Sequence, residues 1–257
     1  MASRTVLVLA GLDPTGGAGL LSDISLLRGM GLNAAGIPTS LTVQSGRLVK
    51  RVEPVGTKYF NDALTSLGDT FRIDAIKVGM IFSPSIAKAV SRVLREHREI
   101  PRVFDPVLTS SGGTRLVSER ALPSLKMLIP QCTLITPNLA EFKTLADLFG
   151  VRIKKLPDAG LALSSLSGAS ILITGGHMPG KRSWDTLIHE GEVSVIKGEL
   201  KGRRDYHGTG CALASYVTAH LVMGDSIEKA IVGAKRMLEE KMDGKFRSLD
   251  GRWFLSP

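Results

Sequence analysis

The chain has 257 residues, 43% of them hydrophobic, which is enough for one large α/β domain or two small ones. No apolar run reaches the roughly 18 uncharged residues that span a bilayer. Its net charge of +9 comes from scattered basic residues with few aromatics, which favours a solvated surface that attracts anionic substrates over nucleic-acid binding. The two cysteines, Cys132 and Cys211, fit neither a disulfide framework nor a zinc site, so we expect a cytoplasmic protein with reduced thiols.

The chain begins with a strand, a glycine-rich loop and a helix. Residues 5–10 form a short apolar run typical of a strand buried on both faces. The loop at residues 11–19 contains four glycines, and residues 20–30 follow with helical spacing before Gly31. These glycines match neither the dinucleotide fingerprint nor a P-loop. The loop therefore predicts close approach of a ligand to the backbone without identifying the ligand.

The next elements lead to a glutamine and a capped helix. Residues 35–43 predict a strand that Gln44 follows, and its carboxamide could present an acceptor and donors to a planar heterocycle. From spacing alone, a solvent-facing loop residue is the favoured alternative. Residues 57–68 predict a helix and residues 73–80 a strand. Ser83 and Pro84 predict the start of a helix that runs to about residue 97.

Polar side chains follow the strands in the middle of the chain. Residues 101–107 predict a strand that is terminated by Asp105 and Pro106. Asp105 would then lie at the C-terminal end of a buried strand, the place where open α/β sheets bind ligands. A helix is expected near residues 118–129 and a strand at residues 133–136. Asn138 and Glu141 match a capping box. They could also face a metal-bound phosphate at the same edge, and the two interpretations are compatible.

A second glycine-rich turn lies at residues 208–210, directly before a long apolar run that Gly224 closes. Unpaired N–H groups and the positive end of the helix dipole at such a turn hold anions. Cys211 lies in the first turn, where the pKa of a thiol is expected to be lowered. The alternative is a tight turn before a buried helix.

The remaining elements complete an α/β pattern. Residues 157–166 and 226–242 predict helices, residues 170–174 a strand, and residues 184–196 a hairpin around Glu190 and Gly191. Alternating strands and helices predict a mostly parallel sheet with helices on both faces in a single domain, with its core at about residues 5–242. We expect the tail, residues 243–257, to pack loosely or to meet a neighbouring subunit.

The loops at the strand ends resemble one enzyme family when taken together. They are the loop at 11–19, Gln44, Lys77-Val78-Gly79-Met80, Asp105-Pro106-Val107, Thr136-Pro137-Asn138-Leu139-Ala140-Glu141, Thr174-Gly175-Gly176-His177 and His207-Gly208-Thr209-Gly210-Cys211. Over about residues 6–242 they resemble the hydroxymethylpyrimidine/phosphomethylpyrimidine kinases of thiamine biosynthesis, in the ribokinase-like superfamily. Gly-Thr-Gly-Cys, where most sugar kinases have Gly-x-Gly-Asp, points to the branch that includes pyridoxal kinases.

The resemblance implies a three-layer ribokinase-like fold, ATP and Mg²⁺ as cofactors, and a homodimer. It implies a pyrimidine pocket at Gly11, Asp13, Ala18, Gln44, Met80 and Val107, with Gln44 at the ring edge. It implies a nucleotide site at Asp105, Asn138, Glu141 and Thr174, with Glu141 also at the metal. The amides of Gly208, Thr209 and Gly210 would form an anion hole for the transferred phosphoryl group, and Cys211 would take the proton of the hydroxymethyl group.

The sequence departs from the family at three positions and leaves alternatives open. Thr174, Tyr206 and Ser45 stand where the family usually has Lys, Thr and Asn. The basic residues Lys201, Arg203 and Arg204 are candidates to replace the missing lysine. A pyridoxal kinase is the alternative enzyme. A protein that binds the pyrimidine without catalysis is the alternative outside enzymes, and nucleic-acid binding ranks last.

Overall fold

The structure is a computed structural model that describes residues 4–175, 182–199, 206–242, 244 and 246–255. The strands are β1 (Thr5–Leu12), β2 (Asn33–Gln44), β3 (Val49–Pro54), β4 (Ala75–Val78), β5 (Arg102–Phe104), β6 (Leu134–Ile135), β7 (Ser170–Ile173), β8 (Arg182–His189), β9 (Glu192–Glu199), β10 (Tyr206–His207), β11 (Phe246–Arg247) and β12 (Trp253–Phe254). The helices are α1 (Gly19–Gly29), α2 (Thr57–Thr70), α3 (Pro84–Glu96), α4 (Leu125–Leu128), α5 (Leu139–Leu148), α6 (Leu156–Ser167), α7 (Thr209–Met223) and α8 (Ile227–Lys241). None of the helices in these ranges has the length and hydropathy that a membrane crossing requires.

In the described ranges, the main sheet has nine strands in the order β3-β2-β1-β4-β5-β6-β7-β8-β9. Six neighbouring strands of this sheet are parallel to one another, namely β2, β1, β4, β5, β6 and β7. β3 is antiparallel at one edge, and the hairpin β8–β9 is antiparallel at the other. The predicted parallel sheet and its edge hairpin are therefore confirmed.

Helices cover both faces of this sheet, which confirms the predicted three layers. Leu7 and Leu9 of β1 point to the face that α2 to α6 cover, in an apolar cluster with Phe60 and Phe142. Val6 and Val8 point to the opposite face, where α1, α7 and α8 pack. Because both faces are buried, the central strands consist almost entirely of apolar residues.

A buried charge interrupts the apolar pattern of β4. Lys77 is fully buried, and its ammonium lies 2.6 Å from the carboxylate of Asp23 in α1 and 4.0 Å from that of Asp105. Ser215 of α7 donates a 2.8 Å hydrogen bond to the other oxygen of Asp23. Burial favours the neutral amine, but the negative charges around it raise the pKa of Lys77. The charged pair therefore joins the centre of the sheet to two helices.

Two elements differ from the sequence prediction. β3 was not predicted, because Lys50 and Arg51 interrupt its apolar residues, and it pairs antiparallel with β2. The helix expected near residues 118–129 consists instead of α4 between two short 3-10 turns. Pro123 and Pro130 lie in those turns, and each lacks the N–H that a continuous helix needs.

Residues 246–255 pack on the molecule rather than loosely, and the expected contact of the tail with a neighbouring subunit stays a prediction. β12 lies between β10 and β11 in a small three-stranded sheet. The ring of Phe254 meets the ring of His207 edge to face, with centroids 5.5 Å apart. A side chain at Gly17 would collide with both rings. The segment thus covers the glycine-rich loop after β1.

The buried ion pair of Lys77 leads to a prediction about stability. Asp23→Ala leaves a fully buried ammonium without its closest partner, and we expect the free energy of unfolding to fall by roughly 3 to 5 kcal/mol. Asp62→Ala removes the partner of the exposed Lys58 and should leave it nearly unchanged. Urea titration of both variants checks this. Equal effects would show that the buried pair is not a major constraint.

Candidate active site

A cavity of about 240 Å³ opens at the carboxyl ends of the central strands. Its wall contains every residue that the sequence analysis assigned to substrate, nucleotide, metal or catalysis. These residues are Gly11, Asp13, Ala18, Gln44, Met80, Asp105, Val107, Asn138, Glu141, Thr174, Gly208, Thr209, Gly210 and Cys211. The structure therefore brings the whole predicted set together at one place, although the role of each residue stays a prediction.

Gln44 lies at the end of β2 and its side chain is held on the cavity wall. The hydroxyl of Thr42 donates to the carbonyl oxygen of Leu12 at 2.9 Å and lies 3.1 Å from the carboxamide oxygen of Gln44. Gln44 is thus half-buried at a strand end rather than in a loop, and its contact with a ring stays a prediction. Opposite, a Cβ on Gly11 would lie 2.9 Å from the sulfur of Met80. Glycine at that position leaves room for Met80 beside β1.

Asp13 fixes the shape of the glycine-rich loop. Its carboxylate accepts hydrogen bonds from the N–H and the hydroxyl of Thr15 at 2.8 and 2.7 Å. Nε2 of His207 lies 2.8 Å from its other oxygen. Burial alone would raise the pKa of Asp13, but the hydrogen bonds from His207 and Thr15 outweigh it and lower this pKa. The ionised Asp13 therefore ties the first glycine-rich loop to β10.

Gly208 is the residue directly before α7 and forms the turn from which this helix starts. It has a φ of 79°, in the left-handed region that favours glycine, and a side chain there would collide with the carbonyl oxygen of Gly17. The first hydrogen bond of the helix runs from the N–H of Ala212 to the carbonyl oxygen of Gly208 at 2.9 Å. The preceding N–H groups of Thr209, Gly210 and Cys211 have no carbonyl partner within the helix. They are suited to bind an anion.

Cys211 does not have the lowered pKa that its place at a helix start predicted. Burial, followed by the negative charge of Asp105, raises the pKa of the thiol well above its usual value. The charge of Lys77 acts in the opposite direction and is outweighed. The sequence prediction was wrong because it considered the helix alone, whereas Asp105 comes from a different strand end.

Asn138 and Glu141 form the predicted capping box and also face the cavity. The side chain of Asn138 accepts from the N–H of Glu141 at 3.0 Å, and Glu141 accepts from the N–H of Asn138 at 2.9 Å. The other carboxylate oxygen of Glu141 accepts from the N–H of Leu108 at 3.3 Å. Burial, and then the charge of Asp105, raises the pKa of Glu141 to about 8. The capping box is therefore confirmed, and the role of the pair at a metal-bound phosphate stays a prediction.

The two carboxylates fit a divalent cation that arrives with phosphates. One buried oxygen of Asp105 has no hydrogen-bond partner among the described residues, and its charge acts on Glu141. Mg²⁺ usually binds one or two carboxylates together with phosphate oxygens and water. Within the described ranges, no group of three or more metal-binding side chains forms a complete protein site. The arrangement suits a cation shared with a nucleotide better than a resident metal.

Thr174 occupies the position where the resemblance leads one to expect lysine. It lines the cavity beside Asn138, with which it forms an isolated parallel bridge. The candidate replacements Lys201, Arg203 and Arg204 lie outside the described residues. The other two departures, Ser45 and Tyr206, also line the cavity.

Sequence reasoning missed several residues around the cavity. Lys77 was noted only as part of a strand end, although a lysine inside an apolar strand is itself a signal of a buried ion pair. Arg252 is buried and lines the cavity. Arg47 also lines the cavity, and it donates a 2.7 Å hydrogen bond to the carbonyl oxygen of Asp250. Nothing in the sequence places the tail at this site.

Comparison with known proteins places the chain in the family that its loop motifs resemble. The family model described as phosphomethylpyrimidine kinase matches residues 13–253. The chain is similar to the thiamine biosynthesis bifunctional protein ThiED of Geobacter sulfurreducens, with 31% identity over 235 residues that cover 91% of this chain and 48% of that protein. It thus spans about half the length of that relative. It is also similar to the hydroxymethylpyrimidine/phosphomethylpyrimidine kinase of Bacillus subtilis, with 29% identity over 248 residues, 95% of this chain and 90% of that protein.

A solved structure supports the fold. The chain resembles the pyridoxal kinase of Bacillus subtilis in its ADP complex, with a TM-score of 0.85 and 25% identity over 99% of this chain and 98% of that one. The expected ribokinase-like architecture is therefore confirmed.

Glu141 leads to a prediction about pH. Its pKa of about 8 in the folded state lies above the ordinary 4.5, so the folded state keeps a proton that the unfolded state releases between these values. The stabilising contribution is complete below about pH 4.5 and is lost as the pH rises to about 8. Relative to Glu141→Gln, the free energy of unfolding should fall across this range by up to about 1.4 kcal/mol per pH unit. Urea titration measures this.

The exposed Glu96 supplies the control for the loss of a carboxyl group, because Glu96→Gln should not remove the pH dependence. A constant difference between the wild type and Glu141→Gln over the same pH range would contradict the raised pKa.

Cys211 leads to a prediction about reactivity. Because its pKa is raised, the thiol should react with iodoacetamide at pH 8 at least about tenfold more slowly than a cysteine in an unstructured peptide. Asp105→Asn removes a negative charge that raises this pKa, so the variant should react faster. Peptide mass spectrometry follows the modification, with the buried Cys132 as an internal control. A wild-type rate equal to that of the peptide would contradict the assignment.

Proposed function

The chain belongs to the phosphomethylpyrimidine kinase family and is a phosphotransferase. From this premise, we propose that it transfers a phosphoryl group from ATP to 4-amino-5-hydroxymethyl-2-methylpyrimidine and then to the resulting monophosphate, in thiamine biosynthesis. The single observation that carries the proposal is the cavity, because the residues that the family motifs assign to acceptor, nucleotide and catalysis all line it. These roles come from separate strand ends, so their convergence is a property of the fold.

The acceptor side lies at the ends of β1, β2 and β4. The pyrimidine ring would lie against Gly11, Met80 and Val107, which all line the cavity, with the carboxamide of Gln44 at its edge. Thr42 lies 3.1 Å from this carboxamide, which can present both an acceptor and donors to the ring. The hydroxymethyl group would then point towards Cys211.

The donor side lies at the ends of β5, β6 and β7. The N–H groups at the start of α7 would bind the oxygens of the transferred phosphoryl group, where negative charge accumulates. Asp105 and Glu141 would hold Mg²⁺, which neutralises charge on the nucleotide phosphates when it is bound. Glu141 must lose its proton to bind the cation. Its pKa of about 8 keeps the carboxyl group largely protonated at neutral pH, and the positive charge of the incoming cation favours release of that proton.

Cys211 is the proposed acceptor of the proton that the hydroxymethyl group loses as its oxygen bonds to phosphorus. The raised pKa of the thiol means that it holds its proton in the free protein. A cation bound at Asp105 would remove the main charge that raises this pKa. In the loaded site the thiol would release its own proton to solvent, and the thiolate would then take the hydroxymethyl proton as the oxygen bonds to phosphorus and ADP leaves. Phosphoryl transfer depends on positioning and charge neutralisation more than on a strong base, so such a thiolate is sufficient.

Two alternatives have an observation in their favour. A pyridoxal kinase is supported by the likeness of the fold to such an enzyme and by the unusual Ser45 and Tyr206 in the cavity wall. A pyrimidine-binding protein without catalysis is supported by Thr174, which carries no charge to neutralise phosphate. A homodimer stays a prediction that light scattering would test.

The test of the proposed function is ADP release with Mg-ATP and hydroxymethylpyrimidine, with the products resolved by mass. We expect both the monophosphate and the diphosphate. Cys211→Ala should lower kcat at least about 100-fold, the usual contribution of a general base. Cys132→Ala is the matched control, because Cys132 is buried against the carbonyl oxygen of Leu128 and does not line the cavity.

Each other outcome decides against part of the proposal. Monophosphate alone would mean that the second transfer fails and would implicate Thr174. Turnover of pyridoxal without turnover of the pyrimidine would favour the alternative enzyme. No turnover of either alcohol, with tight pyrimidine binding, would favour the binding protein.

A further inference from the structure

A buried ion pair lies directly behind the nucleotide side of the cavity. It joins Asp185 of β8 to Lys235 of α8, and both residues are more than nine-tenths buried, at 2% and 7% exposure. The ammonium of Lys235 donates to one carboxylate oxygen of Asp185. A side chain at Gly198 of β9 would collide with Lys235, so the edge hairpin leaves room for this lysine.

The other oxygen of Asp185 reaches the cavity wall. It accepts a 2.8 Å hydrogen bond from the N–H of Gly175, the residue after Thr174. The N–H of Thr174 itself donates to the carbonyl oxygen of Pro137 at 2.9 Å. Because a peptide unit is planar and trans, these two bonds fix the backbone on both sides of Thr174. Its position relative to Asn138 is therefore set from two directions.

The charge on Asp185 makes this bond stronger than one between neutral groups. An N–H bond to a carboxylate is roughly twice as strong as a bond to a neutral acceptor. Burying a carboxylate is costly without a partner of opposite charge, and Lys235 is that partner. The lysine therefore acts on the cavity through Asp185 and Gly175, without lining the cavity itself.

We propose that Asp185 and Lys235 are positioning residues for the nucleotide, and that they hold Thr174 and Gly175 where the phosphates bind. The inference rests on the proposed function. Where the resemblance predicts a lysine in the wall, this chain has an uncharged threonine on a backbone that a buried ion pair holds in place. Binding of the phosphates then depends on the rigidity of residues 174–175 rather than on a side-chain charge there.

The test is the double substitution Asp185→Leu/Lys235→Met. Replacing a buried ion pair with apolar groups of similar volume usually preserves stability, but here it removes the acceptor of the Gly175 N–H. We expect the KM for ATP to rise about tenfold, the typical effect of losing a hydrogen bond to a charged group. The KM for the pyrimidine should stay within about twofold of wild type. Asp185→Asn keeps an acceptor oxygen and should show a smaller rise.

Two further variants separate positioning from general stability. Asp225→Ala removes the 2.8 Å contact with His220 at the corner between α7 and α8, and it should change neither KM. Thr174→Val keeps the shape of the side chain and should raise the KM for ATP. Added to the double substitution, it should raise this KM by less than it does alone, because the two changes act through the same residues. If the double variant does not fold, Asp185→Asn still tests the inference, because it weakens the bond to the Gly175 N–H and should raise the KM for ATP selectively.

The measurements distinguish a wrong positioning role from a wrong proposed function. A wild type that phosphorylates the pyrimidine, with a folded double variant whose KM for ATP is unchanged, would overturn the positioning role alone. A wild type without turnover would overturn the proposed function, and calorimetric ATP binding by the same variants would still test the positioning role. Loss of thermal stability without a selective effect on ATP would show that the ion pair is merely structural, and a wild type that binds no ATP would overturn both.

Discussion

The ammonium of Lys77 is the interaction on which the rest of the site depends. It is fully buried 2.6 Å from Asp23 and 4.0 Å from Asp105, so it fixes β4 against α1 and sets the surroundings of the next strand end. Burial, and after it the charge of Asp105, raises the pKa values of Cys211 and Glu141. A cation at Asp105 would change the protonation of both neighbours at once, which links nucleotide binding to the chemistry at Cys211.

Backbone geometry rather than long side chains shapes the rest of the cavity. Gly17 and Gly208 allow the first loop and the start of α7 to lie in contact, and Asp13 joins the same segments through His207. The rings of Phe254 and His207 then hold the C-terminal segment over them. Small residues let a ligand approach N–H groups closely. A buried cluster of charges and two loops fixed against each other together give a rigid site for phosphoryl transfer, which depends on positioning.

Local sequence rules predicted the parts of the structure that local interactions decide. Ser83 caps α3 by accepting from the N–H of Ile86, and Asn138 and Glu141 form their capping box, as the spacing indicated. The family motifs also predicted which residues line the cavity. The failures share a nonlocal cause. The pKa of Cys211 depends on Asp105, which comes from another strand, and the packing of Phe254 depends on Gly17 at the opposite end of the chain. The partner of Lys235 in β8 could not be read from helix periodicity either.

The most direct test of this account is a crystal structure with Mg²⁺, a non-hydrolysable ATP analogue and hydroxymethylpyrimidine. We predict the ring at Gln44, the terminal phosphate on the N–H groups at the start of α7, and the metal at Asp105 and Glu141. The hydroxymethyl oxygen should lie between Cys211 and the phosphorus, about 3 to 3.5 Å from the latter. A nucleotide bound away from α7, or a ring whose hydroxymethyl group points away from Cys211, would contradict the central claim that this one cavity holds both reactants.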